Sequence, residues 1–172
     1  MGANYGIYGP AFDLLDHQAR EPGSEEYLDS EKYQIKNWPT ASPDSLSEFS
    51  ARINRIRREN KALQRDLSLR FHDIGNEQII AYSKQTEDLV NVIVVVVNLD
   101  PHHVQSGWLE LDLEALGVGA GESYQAHDLL TDARYLWQGS RNYVELNPQI
   151  APAHIFRLRR HMRREQDFDY FN

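Results

Sequence analysis

The run Val90-Asn91-Val92-Ile93-Val94-Val95-Val96-Val97-Asn98-Leu99-Asp100 constrains the fold more than any other stretch. β-Branched side chains have little χ1 freedom and suit the extended, pleated backbone, so the run reads as a strand. Its apolar core, Val92 to Val97, is far too short to span a bilayer and is bracketed by Asn91 and Asn98. Alternation sends Val92, Val94 and Val96 to one face and Ile93, Val95 and Val97 to the other. Both faces are apolar, so each needs a cover. At ~1.5–3 kcal/mol for each buried large aliphatic side chain, the strand could supply roughly 10 kcal/mol as an upper bound. Neighbouring strands account for one cover; the second has to be a helix or a partner outside the chain.

From Leu67 onward, turn chemistry cuts the sequence into short extended segments: Leu67–Ile74, Gln78–Lys84, Leu89–Leu99, Gly107–Leu113, Ser123–Asp128, Arg134–Trp137, Asn142–Leu146 and His154–Arg160. Gly75-Asn76, Thr86 to Asp88, Asp100-Pro101, Gly117 to Gly121, Thr131-Asp132 and Gly139-Ser140 separate them. Such punctuation predicts an antiparallel β-sandwich. Alternation is clearest in Trp108 to Leu113 and His154 to Leu158, whose apolar members are expected to face the core. Upstream, Ser45 and Glu48 form an S-x-x-E capping box, and Leu46, Phe49, Ile53, Ile56 and Leu63 recur at helical spacing. These signals predict one amphipathic helix over Leu46 to Leu63, with Arg52, Arg55, Arg57, Arg58 and Lys61 loading its C-terminal half as the helix dipole favours.

The length of 172 residues fits one domain, or one domain with a piece of another. No cysteine is present, which excludes disulfides and thiolate metal sites and fits a reducing, cytoplasmic setting. A net charge of -8 argues against broad nucleic-acid binding, and no run approaches transmembrane length, so neither nucleic acid nor membrane is expected as a partner. Arg157, Arg159, Arg160, Arg163 and Arg164 crowd the C-terminus and read as a solvated basic stretch.

Residues 1–40 show no sustained period and read as a long loop, punctuated by Tyr5-Gly6-Ile7-Tyr8-Gly9-Pro10 and Glu21-Pro22-Gly23-Ser24, with a short helical turn within Ala11 to Ala19. So long a loop is uncommon in a compact domain unless it is functional or has lost its setting, which is a first sign of truncation. Glu25, Glu26, Asp29 and Glu31 crowd together, yet glycosidase chemistry needs two carboxylates held roughly 5–10 Å apart across a sugar, and nothing fixes that geometry. Lys32-Tyr33 pairs an ammonium donor with a phenol, a combination suited to sugar hydroxyls and apolar sugar faces, although the dipeptide alone reads as surface.

Other constellations carry little chemistry. His102-His103 would face opposite ways in a strand, and His72-Asp73 and His127-Asp128 lack a third ligand, so no metal and no cofactor is expected. No G-x-G-x-x-G, Walker or G-x-S-x-G element occurs. Trp38, Trp108 and Trp137 could form a sugar-stacking platform, though tryptophans in a β-rich domain more often pack the core or an edge.

The helix text Phe49 to Gln64 resembles the last barrel helix of the α-amylase superfamily. Tyr5 to Pro10, Gly23 to Tyr33, Tyr135-Leu136-Trp137-Gln138-Gly139 to Tyr143-Val144, Pro152 to Phe156 and Asp167 to Phe171 resemble the family of bacterial α-1,4-glucan:maltose-1-phosphate maltosyltransferases. The resemblance covers essentially the whole chain. It implies that residues 1–66 end a (β/α)8 barrel as rim loop and last helix, that 67–161 form the C-terminal sandwich, and that 162–172 are a tail. It further implies maltose 1-phosphate and α-1,4-glucan as substrates of the parent, with Lys32 and Tyr33 contacting the maltosyl unit of the donor. The family's catalytic carboxylates fall upstream, so no catalytic residue is assigned here and the isolated chain is expected to be inactive. An alternative is a non-catalytic α-glucan-binding sandwich module of another superfamily enzyme. The sequence leaves open whether the helix covers the second apolar face within one subunit or across a homodimer.

Overall fold

The structure, a computed structural model, describes residues 2–7, 9–30, 35, 37–39, 42–119 and 121–160. Tyr8, Glu31, Lys32, Tyr33, Arg163, Arg164 and the rest of the tail lie outside the described residues. Two compact units are formed, one from Asn4 to Arg55 and one from Ile56 onward that includes the first three residues.

The first unit opens with helix α1 (Gly9–Asp13), whose Pro10 sits in the first turn, where its missing N–H goes unmissed. Leu15, with φ 56°, turns the chain out of it. Asp13 then anchors the start of helix α2 (Ser47–Glu59): its carbonyl accepts the Leu46 N–H at 2.7 Å and its carboxylate accepts the Ser50 hydroxyl at 3.0 Å. The Leu46 carbonyl accepts the first intrahelical bond, from Ser50 N–H, and Ser45 Oγ accepts the Ser47 N–H at 3.2 Å. Ser45 thus stands one residue ahead of the N-cap that the predicted box assigned to it.

The predicted helix to Leu63 ends instead at Glu59. At Asn60 the backbone is extended, and both the main-chain N–H and Nδ2 of Asn60 donate to the Ile56 carbonyl, at 3.1 and 2.8 Å. Gln64 Nε2 donates to the carbonyls of Arg57 and Arg58 at 3.2 and 3.0 Å. Carbonyls that a helix end leaves open are thereby satisfied by side chains, which is why the chain can leave the α-helix and tighten into a 3-10 turn over Lys61–Gln64.

All eight predicted strands are present. Strands β1 (Arg70–His72), β2 (Ile79–Gln85), β3 (Val92–Asn98), β8 (Ala153–Arg159), β5 (Ser123–Asp128) and β6 (Arg134–Gln138) lie side by side in that order in one antiparallel sheet. Strands β4 (Gln105–Glu110) and β7 (Arg141–Leu146) form a second, two-stranded sheet. The core lies between them: Val92, Val94 and Val96 of β3 join Leu109, Val144, Leu146, Tyr124, Trp137, Phe156 and Leu158 in one cluster. Its aromatic rings meet edge to face, with Trp137 and Phe156 centroids 4.9 Å apart, the arrangement the ring quadrupoles favour. Burial pushes the Tyr124 hydroxyl up to about 12, so it stays protonated and donates to the Gly139 carbonyl at 2.9 Å.

The opposite face of β3 has its own cover. The 3-10 turn packs on β2 and β3, with Ala62 and Leu63 buried, as are Ile93 and Val95. Asn91 Oδ1 accepts the Ala62 N–H at 3.0 Å, which fixes the turn against the strand. Lys84 stands across from Ile93 on this face and is fully buried, its ammonium paired with Asp66. The Lys84 hydrogen bond holds the Asp66 carboxyl below the usual carboxylate range, against the effect of desolvation.

Candidate functional site

In the first unit, the chain leading to the predicted sugar-contacting pair is shaped as a small hairpin. Ala19 and Tyr27 bridge antiparallel, Arg20 N–H donates to the Glu26 carbonyl at 2.8 Å, and Leu28 N–H donates to the Gln18 carbonyl at 2.8 Å. Gly23, with φ 81°, makes the turn that Pro22-Gly23 signalled. Beside this hairpin an open hollow of about 560 Å³ is lined by Ala11, Phe12, Leu15, Asp16, His17 and Tyr27. Lys32 and Tyr33 follow directly in sequence but lie outside the described residues, as does Glu31. Of the neighbouring carboxylates, Glu26 is in an exposed ion pair with Arg20 at 3.2 Å.

The second unit separates residues that are adjacent in sequence. His127 faces Asp132, whereas Asp128 is wholly buried and faces His154, with Oδ2 2.9 Å from Nδ1. Asp128 also accepts from Thr131 Oγ1 at 2.6 Å and from the N–H groups of Leu130 and Ile155, both at 3.1 Å. Burial pushes the Asp128 carboxyl up, but the His154 and Thr131 hydrogen bonds and these amides outweigh it, and the net shift is downward. An Asp–His pair of this kind can orient a general base, but the second nitrogen of His154 faces the Glu145 carbonyl at 3.4 Å. With both nitrogens turned to protein oxygens the ring acts as a strut between β5, β7 and β8.

His102 and His103 lie in the loop after β3 rather than on opposite faces of a strand. Asp100 organises this loop, accepting the amides of His102 and His103 at 2.9 and 3.2 Å, the His103 ring at 2.9 Å and Gln105 Nε2 at 3.0 Å. Among the described residues no group of three or more His, Asp or Glu is placed to hold a metal ion. Of the arginines read as a solvated stretch, Arg160 is otherwise engaged: its guanidinium donates to the Gly117 carbonyl at 2.7 Å and to the Leu89 carbonyl, tying two turns together. Only the structure could reveal this, because Arg160 lies far from Leu89 in sequence.

The tryptophans divide. Trp137 is in the core, Trp38 is half-buried in the first unit, and Trp108 is half exposed on the outer face of β4. Trp108 therefore departs from the expectation that apolar members of its segment face the core; it alternates with Leu109, which takes the inward place.

Among the described residues the first unit holds a small hairpin and the second a two-sheet sandwich, and similarity to known proteins extends over both. The family model described as "GLGE, C-terminal" matches residues 71–158, just over half of the chain. Over 158 residues the chain is 51% identical to the α-1,4-glucan:maltose-1-phosphate maltosyltransferase of Salinibacter ruber, covering 92% of this chain and 23% of that protein. For the maltosyltransferase of Methylacidiphilum infernorum the figures are 42% identity, 92% and 24%. This chain thus spans about a quarter of the length of these relatives. In fold it is similar to AmyP crystallised with maltotriose, at TM-score 0.55, 16% identity and coverage of 78% of this chain and 25% of the other. An Anoxybacillus α-amylase gives TM-score 0.54, 14% identity and coverage of 75% and 25%. The chain belongs to the GLGE C-terminal family.

Proposed function

We propose that this chain is the C-terminal part of a transferase that moves maltosyl units from maltose 1-phosphate to the non-reducing end of an α-1,4-glucan. The observation that carries the reading is 51% identity across 92% of the chain to a protein of that activity. In this reading residues 1–66 close a catalytic barrel, 67–161 are the sandwich that braces it, and 162–172 are a tail. A loop preceding the last barrel helix lies at the rim where such barrels carry their chemistry. Lys32 and Tyr33 there contact the maltosyl unit of the donor, the lysine through charged hydrogen bonds to hydroxyls and the tyrosine through its ring face and its own hydroxyl.

A retaining transfer places a nucleophile and an acid/base on opposite sides of the scissile bond, and both come from the part of the relatives that this chain does not span. Phosphate release from maltose 1-phosphate, with maltohexaose as acceptor, tests the reading in the full-length protein. Lys32→Ala should lower kcat/KM for the donor about 10- to 100-fold, the loss of a charged hydrogen bond. Tyr33→Phe should lower it less, and the 172-residue chain alone should show no turnover. Unchanged donor kinetics in both variants would remove these residues from the site; no release by the full-length protein would overturn the activity.

A further inference from the structure

The outer face of the β4–β7 sheet carries a feature that neither the core nor the donor site uses. Register places Trp108 opposite Tyr143, Glu110 opposite Arg141 and Ser106 opposite Glu145. Trp108 is 49% exposed and Tyr143 50% exposed, although the alternate residues Leu109, Val144 and Leu146 are buried. The two rings are 5.4 Å apart at their centroids and inclined at 64°. The Arg141 guanidinium lies over one face of the indole, 4.8 Å from its centroid, and is held by Glu110 at 3.1 Å, so that face is already taken and a sugar would stack on the remaining exposed surface of the ring. The Tyr143 hydroxyl reaches toward Glu145 at 3.5 Å.

We infer that this face binds α-1,4-glucan chains, with Trp108 and Tyr143 as stacking surfaces and Glu110, Arg141 and Glu145 as partners for sugar hydroxyls. The inference rests on the proposed function only for the class of polymer at hand. Three features select the occupant. Aromatic faces pack on the C–H faces of pyranose rings, and carboxylates with a guanidinium around them bind hydroxyl rows. Two rings inclined at 64° follow a curved chain, as α-1,4 linkage produces, whereas a flat β-1,4 ribbon needs coplanar platforms. The 3-10 turn through which the chain enters the sandwich packs on the opposite side of the core, against β2 and β3, so it leaves this face open. A site here would hold a distal stretch of a long acceptor and raise its local concentration at the enzyme.

Titration of maltoheptaose into the 172-residue chain, followed through the indole N–H resonances, tests this without a substitution. The Trp108 signal should shift saturably while those of Trp38 and Trp137 stay, and cellohexaose should leave all three in place. Trp108→Ala and, separately, Tyr143→Ala should weaken binding about three- to tenfold. No shift at Trp108, an equal response to cellohexaose, or binding that survives both substitutions overturns the inference. In the full-length enzyme, Trp108→Ala should raise KM for a long glucan and leave that for maltotetraose unchanged. An enzyme that transfers normally yet shows no such difference refutes the surface site and spares the proposed function. A protein without transferase activity that still shows the Trp108 shift does the reverse.

Discussion

Asn60 and Asn91 are hydrogen-bonded to each other inside the protein, Nδ2 of Asn91 donating to Oδ1 of Asn60 at 2.9 Å. Asn60 also closes the end of α2 through Ile56, and Asn91 also holds the Ala62 amide. The pair therefore joins the helix end, the 3-10 turn and the first residue before β3 in one satisfied network. Asn91→Ala would strand Oδ1 of Asn60 and the Ala62 N–H in the interior. Urea unfolding should show a loss of about 2–4 kcal/mol, and Asn60→Ala combined with it should add much less than its own single effect. Full additivity would show that the two asparagines act independently.

Asp128 is the second buried polar centre, with acceptor bonds from His154, Thr131, Leu130 and Ile155. Asp128→Ala removes the acceptor for all of them and should lower stability by about 3–5 kcal/mol in the same assay. His154→Phe preserves the stacking of ring 154 on Phe156, whose centroid lies 5.0 Å away, and leaves Asp128 its other donors, so its effect should be smaller. Reversal of that order would mean that the imidazole strut contributes more to this centre than the carboxylate it leans on.

The existence of all eight strands was legible because Gly, Pro, Asn and Asp mark the turns between them, although β1 is shorter than the segment expected and β4 starts two residues earlier. Their order in the sheet was not. That β8 lies between β3 and β5 is decided by which long-range pairing buries Val94 against Phe156, a choice made in three dimensions. The need for a second cover over Ile93 and Val95 was readable from alternation, but its identity was not, since Asn60 breaks the helix that the apolar spacing extended to Leu63. Lys32 and Tyr33 were reached through family resemblance, because nothing in a lone Lys-Tyr distinguishes a sugar contact from a surface pair.

Acidification should destabilise the sandwich in two stages. Burial, and then the charge of Arg70, hold His72 below its ordinary 6.5, so the folded state binds fewer protons there than the unfolded one. Its contribution is present above pH 6.5 and is lost as pH falls from that value through the lowered one. Asp100 is drawn down to about 2, first by the His102 amide and, against desolvation, by His103 and Gln105. That contribution is complete above 3.8 and is lost as pH falls toward about 2. Urea midpoints measured from pH 8 to pH 2 should show both slopes; His72→Gln should flatten the first, and Asp100→Asn should lessen the second without removing it, because Asp66 and Asp128 are also held low. A single slope in the unsubstituted chain would contradict the assignment.

Gly107 sets how closely the turn after β1 can lie on β4. A Cβ at this position would stand 2.4 Å from the Ile74 carbonyl oxygen and 3.0 Å from Ile74 Cγ1. The first of these is backbone, and it cannot simply rotate away: Asp73 accepts the Glu110 N–H at 2.9 Å, and Asn76 Nδ2 donates to the Ser106 carbonyl at 2.9 Å, on either side of the contact. Gly107→Ala must therefore separate the turn from the strand and loosen Ile74, which belongs to the core. The expected loss is about 1–3 kcal/mol, the range for overpacking a close contact. Gly6→Ala is the control, since a Cβ there meets nothing within 4 Å; it should stay within about 0.5 kcal/mol of the unsubstituted protein. Equal midpoints for the two variants would mean that the turn yields freely and that Gly107 is dispensable to the corner between the sheets.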